Sequence, residues 1–270
     1  MSRRPLPQVT LCAADTRSPA LAWAALQRSM QDIAFGRAVL FTHAWQPAQP
    51  VAGLEVVDIG LLASGAAYSH FVMRRLHAFI DTPYALVTQW DGFVVDAGAW
   101  DDAFLDWDYI GAPWADQPPA LSVGNGGFSL RSRRFLVAST DPRIVPEHPE
   151  DEHLCRTHRE LLQTEHGVHF APPALAARFA FENRLPPART LGFHGPYHLP
   201  RFLDAATLGG WLDQLPDNFF RGRDARRLAR ALLRQGMAVQ AQQLIRRRRA
   251  AGMNDLKTRS LGWAARLLAR

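Results

Sequence analysis

An α/β fold is what the sequence predicts, with a Rossmann-like mixed sheet flanked by helices and a helical C-terminal appendage. Three observations carry that expectation. Short apolar runs rich in Val and Leu alternate with helix-patterned segments through about the first 95 residues, the signature of crossover connections and a sheet covered on both faces. Asp15, Thr42, His43 and Asp91 fall near the ends of those runs, where ligands sit in sheets of this kind. From about Asp217 the pattern becomes helical and strongly basic.

In order, VTLCAAD reads as a strand, SPALAWAALQRSMQ as a helix, RAVLFTHA and LEVVDIG as strands, YSHFVMRRLHAFI as a helix and YALVTQWDGFVV as a strand. GAWDDAFLDWDYIGAPW follows as a short helix and a Pro-containing loop crowded with Trp100, Trp107, Tyr109 and Trp114. Gly124, Gly126 and Gly127 in VGNGGFSLRSRRFL allow a tight turn or a close backbone approach, and Phe128 to Leu130 restart a strand. HPEDEHLCRTHRELLQTEHG reads as a helix with Pro149 at its start, acids in its first turn and Gly167 as its stop. The segments VHFAPPALAARFAFE and LGFHGPYHLPRF close the body. The basic end holds two helical stretches joined near Gln235 and Gly236, with Leu228, Leu232, Leu244 and Ile245 as apolar faces. It loosely resembles one tetratricopeptide-type hairpin, without a second copy to build an array. The expected division is a body over residues 1–205 and a basic helical region over 206–270.

Several function classes are disfavoured by composition. The 270 residues are 47% hydrophobic and 21% charged, a globular balance, and no apolar run approaches the roughly 18 residues that cross a bilayer. MSRRPLPQ leads into a strand-like VTLCAA and not into a signal-peptide core, so a cytoplasmic protein is expected, with peripheral association at the inner face of a membrane as an extension. Cys12 and Cys155 have no paired-ligand spacing and read as packing residues. The net charge of +6 is unevenly spread. Residues 217–270 hold fourteen Lys or Arg against three Asp, a net +11, and the first 216 residues are at −5. That split argues against a nucleic-acid groove through the body and leaves the basic end to meet an acidic surface. After the first strand comes AADTRS, where a dinucleotide site needs G-x-G-x-x-G, and no Walker-type loop occurs.

Taken together and in this order, QWDGFVV, DYIGAPW, GNGGFSLR, PEDEHL, GVHFAP and LGFHG resemble an uncharacterised family, a former domain of unknown function, expected to be glycosyltransferases with a GT-A-like fold. The resemblance covers roughly residues 8 to 203. More distantly, the order of strand-end acid, NGGF, Glu-Asp pair and late His is similar to that of the site elements in galactosyltransferase-like GT-A enzymes. The resemblance implies transfer of a sugar from a nucleotide-diphosphate donor, with a UDP-sugar favoured, to a glycan, glycoconjugate or lipid-linked acceptor, commonly with a divalent metal.

Departure of a diphosphate needs its charge neutralised, and a hard cation held by carboxylate oxygens does this well. GT-A enzymes usually supply Asp-x-Asp, whereas this chain reads Gln89-Trp90-Asp91. Residues two apart on a strand share a face, so Gln89 and Asp91 are expected to point together into the site, and Asp96 away from it. As the resemblance implies, His194 in GFHG is the candidate second metal ligand beside Asp91. An imidazole ligand suits Mn²⁺ better than Mg²⁺. A general base must reach the acceptor hydroxyl, and Asp151 in PEDEHL is the first candidate, with Glu150 next; the competing reading is that these acids complement a helix N-terminus. Gly126 and Gly127 are candidates for the donor side, Asn125 and Trp114 for the acceptor side, and Arg131 for a phosphate contact. Asp15, Arg17, Tyr68, Ser69, Gln89 and Trp90 complete the donor-binding set. Two other classes remain open on the sequence: an inactive sugar- or nucleotide-binding domain, and an interaction protein acting through the Arg-rich end.

Overall fold

In the computed structural model, which describes residues 3–186 and 188–268, the strands β1 (Arg4–Ala14), β2 (Ile33–Thr42), β3 (Leu54–Asp58), β4 (Tyr84–Thr88), β5 (Tyr109–Gly111) and β6 (Phe128–Ser132) form one sheet in the order β3-β2-β1-β4-β6-β5. β1 is parallel to β2 and β4, and β2 to β3; β6 is antiparallel to both β4 and β5. The sheet is therefore mixed, as expected. The chain divides into two compact units, Met1–His194 and Gly195–Arg270.

Alternation along the central strands explains why their buried stretches are mostly apolar at successive positions. Leu11 and Ala13 of β1, Leu40 of β2 and Leu86 of β4 share one core cluster with Ala22 and Leu26 of helix α1 (Pro19–Ser29). Their neighbours Cys12, Val39, Phe41, Ala85 and Val87 share the other cluster with Phe71 and Val72 of helix α2 (Gly65–Arg74). Period-two alternation sends successive side chains to opposite faces, and a helix covers each face. Each fully buried Phe or Leu contributes about 1.5–3 kcal/mol. Cys12 belongs to this packing, and burial pushes its thiol up to about 12, which keeps it neutral.

Among the expected elements, two near the sheet differ. β4 ends at Thr88, well short of Val95, because the Thr88 hydroxyl donates to the Gly92 carbonyl (2.6 Å) and the Gly92 N–H donates to the Gln89 carbonyl (3.1 Å), closing a turn over 89–92. DYIGAPW supplies the buried strand β5, where only helix and loop were expected, because Tyr109 and Ile110 find partners on β6. β6 runs into α3 (Arg133–Ala138), capped by the Ser132 hydroxyl, which accepts the Phe135 N–H at 3.0 Å. The helical segment that begins at Pro149 comprises α4 (Glu150–Glu152), a π-helical turn (His153–Thr157) and α5 (Arg159–His166). Gly167 stops it in the left-handed region at φ 62°. After α6 (Pro173–Phe179), two short parallel strands, β7 (Ala180–Phe181) and β8 (Gly192–Phe193), end the first unit.

The second unit holds α7 (Ala205–Gln214), α8 (Asp217–Arg221), α9 (Arg223–Arg234), α10 (Ala238–Ala250) and α11 (Leu256–Leu268). Leu228 and Leu232 of α9 and Leu244 and Ile245 of α10 are buried, so the pair beside the RRRR run is interior and unavailable to a membrane. Two of those arginines are structural. Arg247 donates to the carbonyls of Leu212, Asp213 and Leu215 near the end of α7, and Arg248, fully buried, donates to the carbonyls of Phe220 and Gly222 and to the Thr258 hydroxyl. These carbonyls lie at helix ends, where intrahelical partners run out. Among the described residues no helix is long and apolar enough to cross a membrane.

Candidate functional site

The carboxyl ends of β1 and β4 lie side by side, and the residues just beyond them build one wall of the site. Asp15 follows β1, and its Oδ1 accepts the N–H groups of Arg17 (2.8 Å) and Ser18 (2.7 Å), which turns the chain into α1. Burial raises the Asp15 pKa, partly opposed by those two hydrogen bonds. Asp15, Arg17, Tyr68, Gln89 and Trp90 line one cavity of about 260 Å³ together with His148. Ser69 does not line it; the side chain is buried and hydrogen-bonded to His148 Nδ1 at 2.9 Å. Gly65 leaves room for the His148 ring, since a Cβ there would come within 2.5 Å of Nε2.

The turn after β4 changes how Gln89 and Asp91 meet. They do not share a strand face, because the strand has already ended; the 89–92 turn brings both toward His194 instead. His194 Nε2 lies 3.3 Å from Gln89 Oε1 and 3.5 Å from Asp91 Oδ1. Its Nδ1 lies 3.5 Å from Glu182 Oε1 and 3.1 Å from Asn125 Nδ2. The parallel pairing of β7 with β8 explains the company, since Glu182 and His194 are the residues immediately after the two paired ends. Gly92 is forced by the same contact, because a Cβ there would sit 2.6 Å from the Phe193 carbonyl oxygen. Burial works against protonation of His194, but the Asp91 and Glu182 carboxylates outweigh it and hold its pKa well above the ordinary value. Asp96 lies outside this cluster, paired with Arg189.

A third wall is the 124–127 loop. From below, the Tyr109 hydroxyl reaches the carbonyls of Gly124 (2.8 Å) and Asn125 (3.0 Å), and Arg131 Nη2 donates to the Gly126 carbonyl (3.3 Å). Arg131 is neither exposed nor open to a phosphate: it is buried, paired with the buried Glu150 at 3.1 Å and bonded through Nε to the Ser129 hydroxyl at 3.0 Å. Glu150 is therefore committed to holding the loop. Asp151, half-buried, accepts the Gly126 N–H through Oδ2 (2.9 Å) and the Glu152 N–H through Oδ1 (2.9 Å). Burial, followed by the neighbouring Glu150 charge, raises the Asp151 pKa to about 6. Asn125 is buried, with Oδ1 accepting the Gly127 N–H at 3.2 Å. Trp114 packs its ring over Gly124 and against the main core cluster, and Trp100 is buried with its indole N–H on Asp102.

Both glycines of the loop are sterically required. A Cβ on Gly126 would crowd the Asp151 Cβ at 2.8 Å, and one on Gly127 would fall within the His194 imidazole. Gly127→Ala is therefore expected to destabilise by about 1–3 kcal/mol, the usual range for overpacking, and to push the ring away from Asp91. Urea unfolding with a tyrosine- and tryptophan-fluorescence readout checks the first effect. The second is checked by an NMR titration of the imidazole, which should move back toward the ordinary histidine range.

The residues present offer a cation a partial seat. Asp91 Oδ1 is buried with no hydrogen-bond partner among the described residues, and the His194 imidazole and Gln89 amide oxygen lie beside it. A buried carboxylate oxygen without a donor is costly and invites one. Among the described residues no group of three His, Cys, Asp or Glu side chains is arranged to hold a metal. A cation seated there would have Asp91 as a ligand, and His194 only once its imidazole gives up the proton that the Asp91 and Glu182 carboxylates favour.

Glu182 and His148 are the residues that sequence reasoning missed. Neither lies in a recognisable motif: Glu182 enters through the β7–β8 pairing, and His148 through the space left by Gly65.

Among solved structures, the chain is similar to the mannosyltransferase PcManGT of Pyrobaculum calidifontis, solved in complex with GDP-Man and Mn²⁺, at 10% identity and a TM-score of 0.43 over 99% of this chain and 83% of that one. It is also similar to the apo form of the glycosyltransferase GlyE of Streptococcus pneumoniae TIGR4, at 12% identity and a TM-score of 0.39 over 72% of this chain and 54% of that one. No curated protein matches the chain. A family model described as a protein of unknown function, DUF5672, matches residues 53–194. That span takes in Asp91, the 124–127 loop, Asp151, Glu182 and His194, and leaves Asp15 and Arg17 outside it. With more than half of its length matched, this chain belongs to the DUF5672 family.

Proposed function

We propose that the protein is a glycosyltransferase of GT-A type that moves a sugar from a nucleotide-diphosphate donor to a hydroxyl of a glycan or glycoconjugate acceptor, with inversion. The observation that supports this reading is a convergence. The cavity beyond β1 and β4, the buried Asp91 beside His194, and the Asp151 carboxylate of raised pKa are linked by one short loop, with Gly126 touching Asp151 and Gly127 touching His194. Carboxylates of raised pKa such as Asp15, in the cavity at the strand ends, and Asp151 are the usual marks of a site.

In this reading the nucleotide occupies the cavity lined by Asp15, Arg17, Tyr68 and Trp90. Asp151 takes the proton from the acceptor hydroxyl as its oxygen forms a bond to the anomeric carbon, and the bond from that carbon to the diphosphate breaks, the electron pair leaving with the phosphate. A divalent cation, Mn²⁺ ahead of Mg²⁺, would be held by Asp91 and by His194 after loss of its imidazole proton, and would supply neutralisation of the leaving diphosphate. Glu150 is a positioning residue, fixing Arg131 and through it the Gly126 carbonyl. A UDP-sugar is the first donor to test. A catalytic region over residues 1–205 followed by a basic helical region over 206–270 belongs to the same proposal.

The test is protection against thermal unfolding across a panel of nucleotide sugars, with Mn²⁺ or with chelator. A ligand at a hundredfold its Kd stabilises by about 2.7 kcal/mol, an easily read shift. Protection by at least one nucleotide sugar, larger with Mn²⁺, is expected for the native protein. Asp91→Asn should unfold at a similar temperature without ligand and lose the Mn²⁺-dependent part of the protection. Equal protection of the native and Asp91→Asn proteins, in Mn²⁺ and in chelator alike, overturns the assignment of Asp91.

A further inference from the structure

Helix α11 uses one face and leaves the opposite one bare. Thr258, Gly262 and Ala265 are buried and stand at helical spacing along one side. That side is held to α10: Thr258 Oγ1 meets Arg248 Nε at 2.9 Å, the Ala265 carbonyl accepts from Gln242 at 3.0 Å, and a Cβ on Gly262 would lie 3.2 Å from the Ile245 side chain. On the other side, Leu256 is 80% exposed, Trp263 67% and Leu267 47%. At 100° per residue these three fall within about 40° of one another, one continuous stripe along the helix. Four of the nine large hydrophobic residues exposed among the described residues belong to this single helix, Leu268 being the fourth.

Apart from Asp255, which accepts the Thr258 N–H at the start of the helix and lies 3.7 Å from the buried Arg248, the charges around the stripe are positive. Lys257 lies about 100° to one side, and Arg259 and Arg266 about 60° to 80° to the other, all exposed. α11 itself contains no acidic residue. Arg246 and Arg249 of α10 stand with Arg266 around one shallow depression beside it. A second copy of so basic a surface would meet it with like charge. An anionic bilayer answers both features, giving the stripe an acyl layer and the flanking cations a row of phosphates.

We propose that α11 is an interfacial membrane-binding helix, lying in the plane of an anionic lipid surface with Leu256, Trp263 and Leu267 inserted and Lys257, Arg259 and Arg266 at the headgroups. The docking face is thus a different one from the Leu244 and Ile245 pair, which the fold keeps for itself. This inference does not depend on the catalytic reading, since lipid binding is measured without turnover.

The experiment uses the full chain and sucrose-loaded vesicles, either pure phosphatidylcholine or phosphatidylcholine with about 40% phosphatidylglycerol. Sedimentation with the anionic vesicles at low salt, weak association with the neutral ones, and release as salt shortens the screening length are expected. The double variant Trp263→Ser with Leu267→Ser alters only exposed side chains, so its unfolding curve should match the native one while its lipid affinity falls tenfold or more. Arg259→Glu with Arg266→Glu should abolish the preference for anionic lipid. Failure of the native chain to bind anionic vesicles, or equal binding by the apolar double variant, overturns the proposal. So does a dimer in solution that the apolar double variant dissociates while lipid binding is absent, which would assign the stripe to a second copy.

Discussion

Asp151→Asn is expected to leave donor protection intact and to lower kcat by a factor on the order of 10² to 10⁴, the usual consequence of removing a positioned general base. The carboxylate that would do this work already makes two backbone hydrogen bonds, and burial with the neighbouring Glu150 charge raises its pKa to about 6. A base acts in its deprotonated form, so kcat/KM of the native enzyme, which reports the free protein, should climb with pH and level off above about 6. Stability should move the opposite way. A carboxyl whose pKa is raised on folding favours the native state while protonated, below about 4, and that contribution is lost as pH rises through about 6. Because Asn does not titrate, the melting temperature of the variant relative to the native protein should rise across the same interval. If kcat is unchanged while the melting temperatures diverge as described, Asp151 only complements the helix terminus and the catalytic assignment fails.

Arg131→Ala is expected to produce the largest loss of stability, about 3–5 kcal/mol, as breaking a buried ion pair from one side usually does. Arg131 is 1% exposed, and Glu150, its partner, is 3% exposed. Removing the guanidinium leaves Glu150 charged and uncompensated in the interior, and it leaves the Gly126 carbonyl and the Ser129 hydroxyl with only their mutual hydrogen bond. Replacing both partners by well-packed apolar residues, as in Arg131→Met with Glu150→Leu, should recover most of the loss, because no lone buried charge remains. Urea unfolding of the two variants beside the native protein measures both effects. Recovered stability without recovered donor protection would show that the pair serves the shape of the 124–127 loop and not the fold alone. A cost below about 1 kcal/mol for Arg131→Ala would contradict the buried pairing.

The covered sheet was legible because a strand buried on both faces is apolar at most successive positions, and the Val- and Leu-rich runs of β1, β2 and β4 report that directly. The strand-end cavity was legible for a related reason: chain direction in a parallel sheet places the residues after each strand at one edge, so Asp15, Gln89 and Trp90 were bound to meet. Helix stops such as Gly167 follow from local backbone preference and needed no tertiary information.

What only the tertiary structure decided were the identities that depend on long-range pairing. Arg131 looks like a surface arginine beside a glycine loop, and nothing local reveals that Glu150, nineteen residues on, removes it from solvent. Gln89 and Asp91 look like strand neighbours on one face, until a hydroxyl from Thr88 captures the Gly92 carbonyl and turns the chain. Glu182 carries no motif, and its place beside His194 rests on two short strands that pair across a dozen residues. In the basic end, composition determined that there would be amphipathic helices with a large positive charge, because helical periodicity and charge are local properties. Which apolar stripe is buried and which stays bare is a property of packing. Leu244 and Ile245 lie inside the helical unit, whereas α11 spends its small residues on the contact with α10 and leaves Trp263 and its neighbours outside.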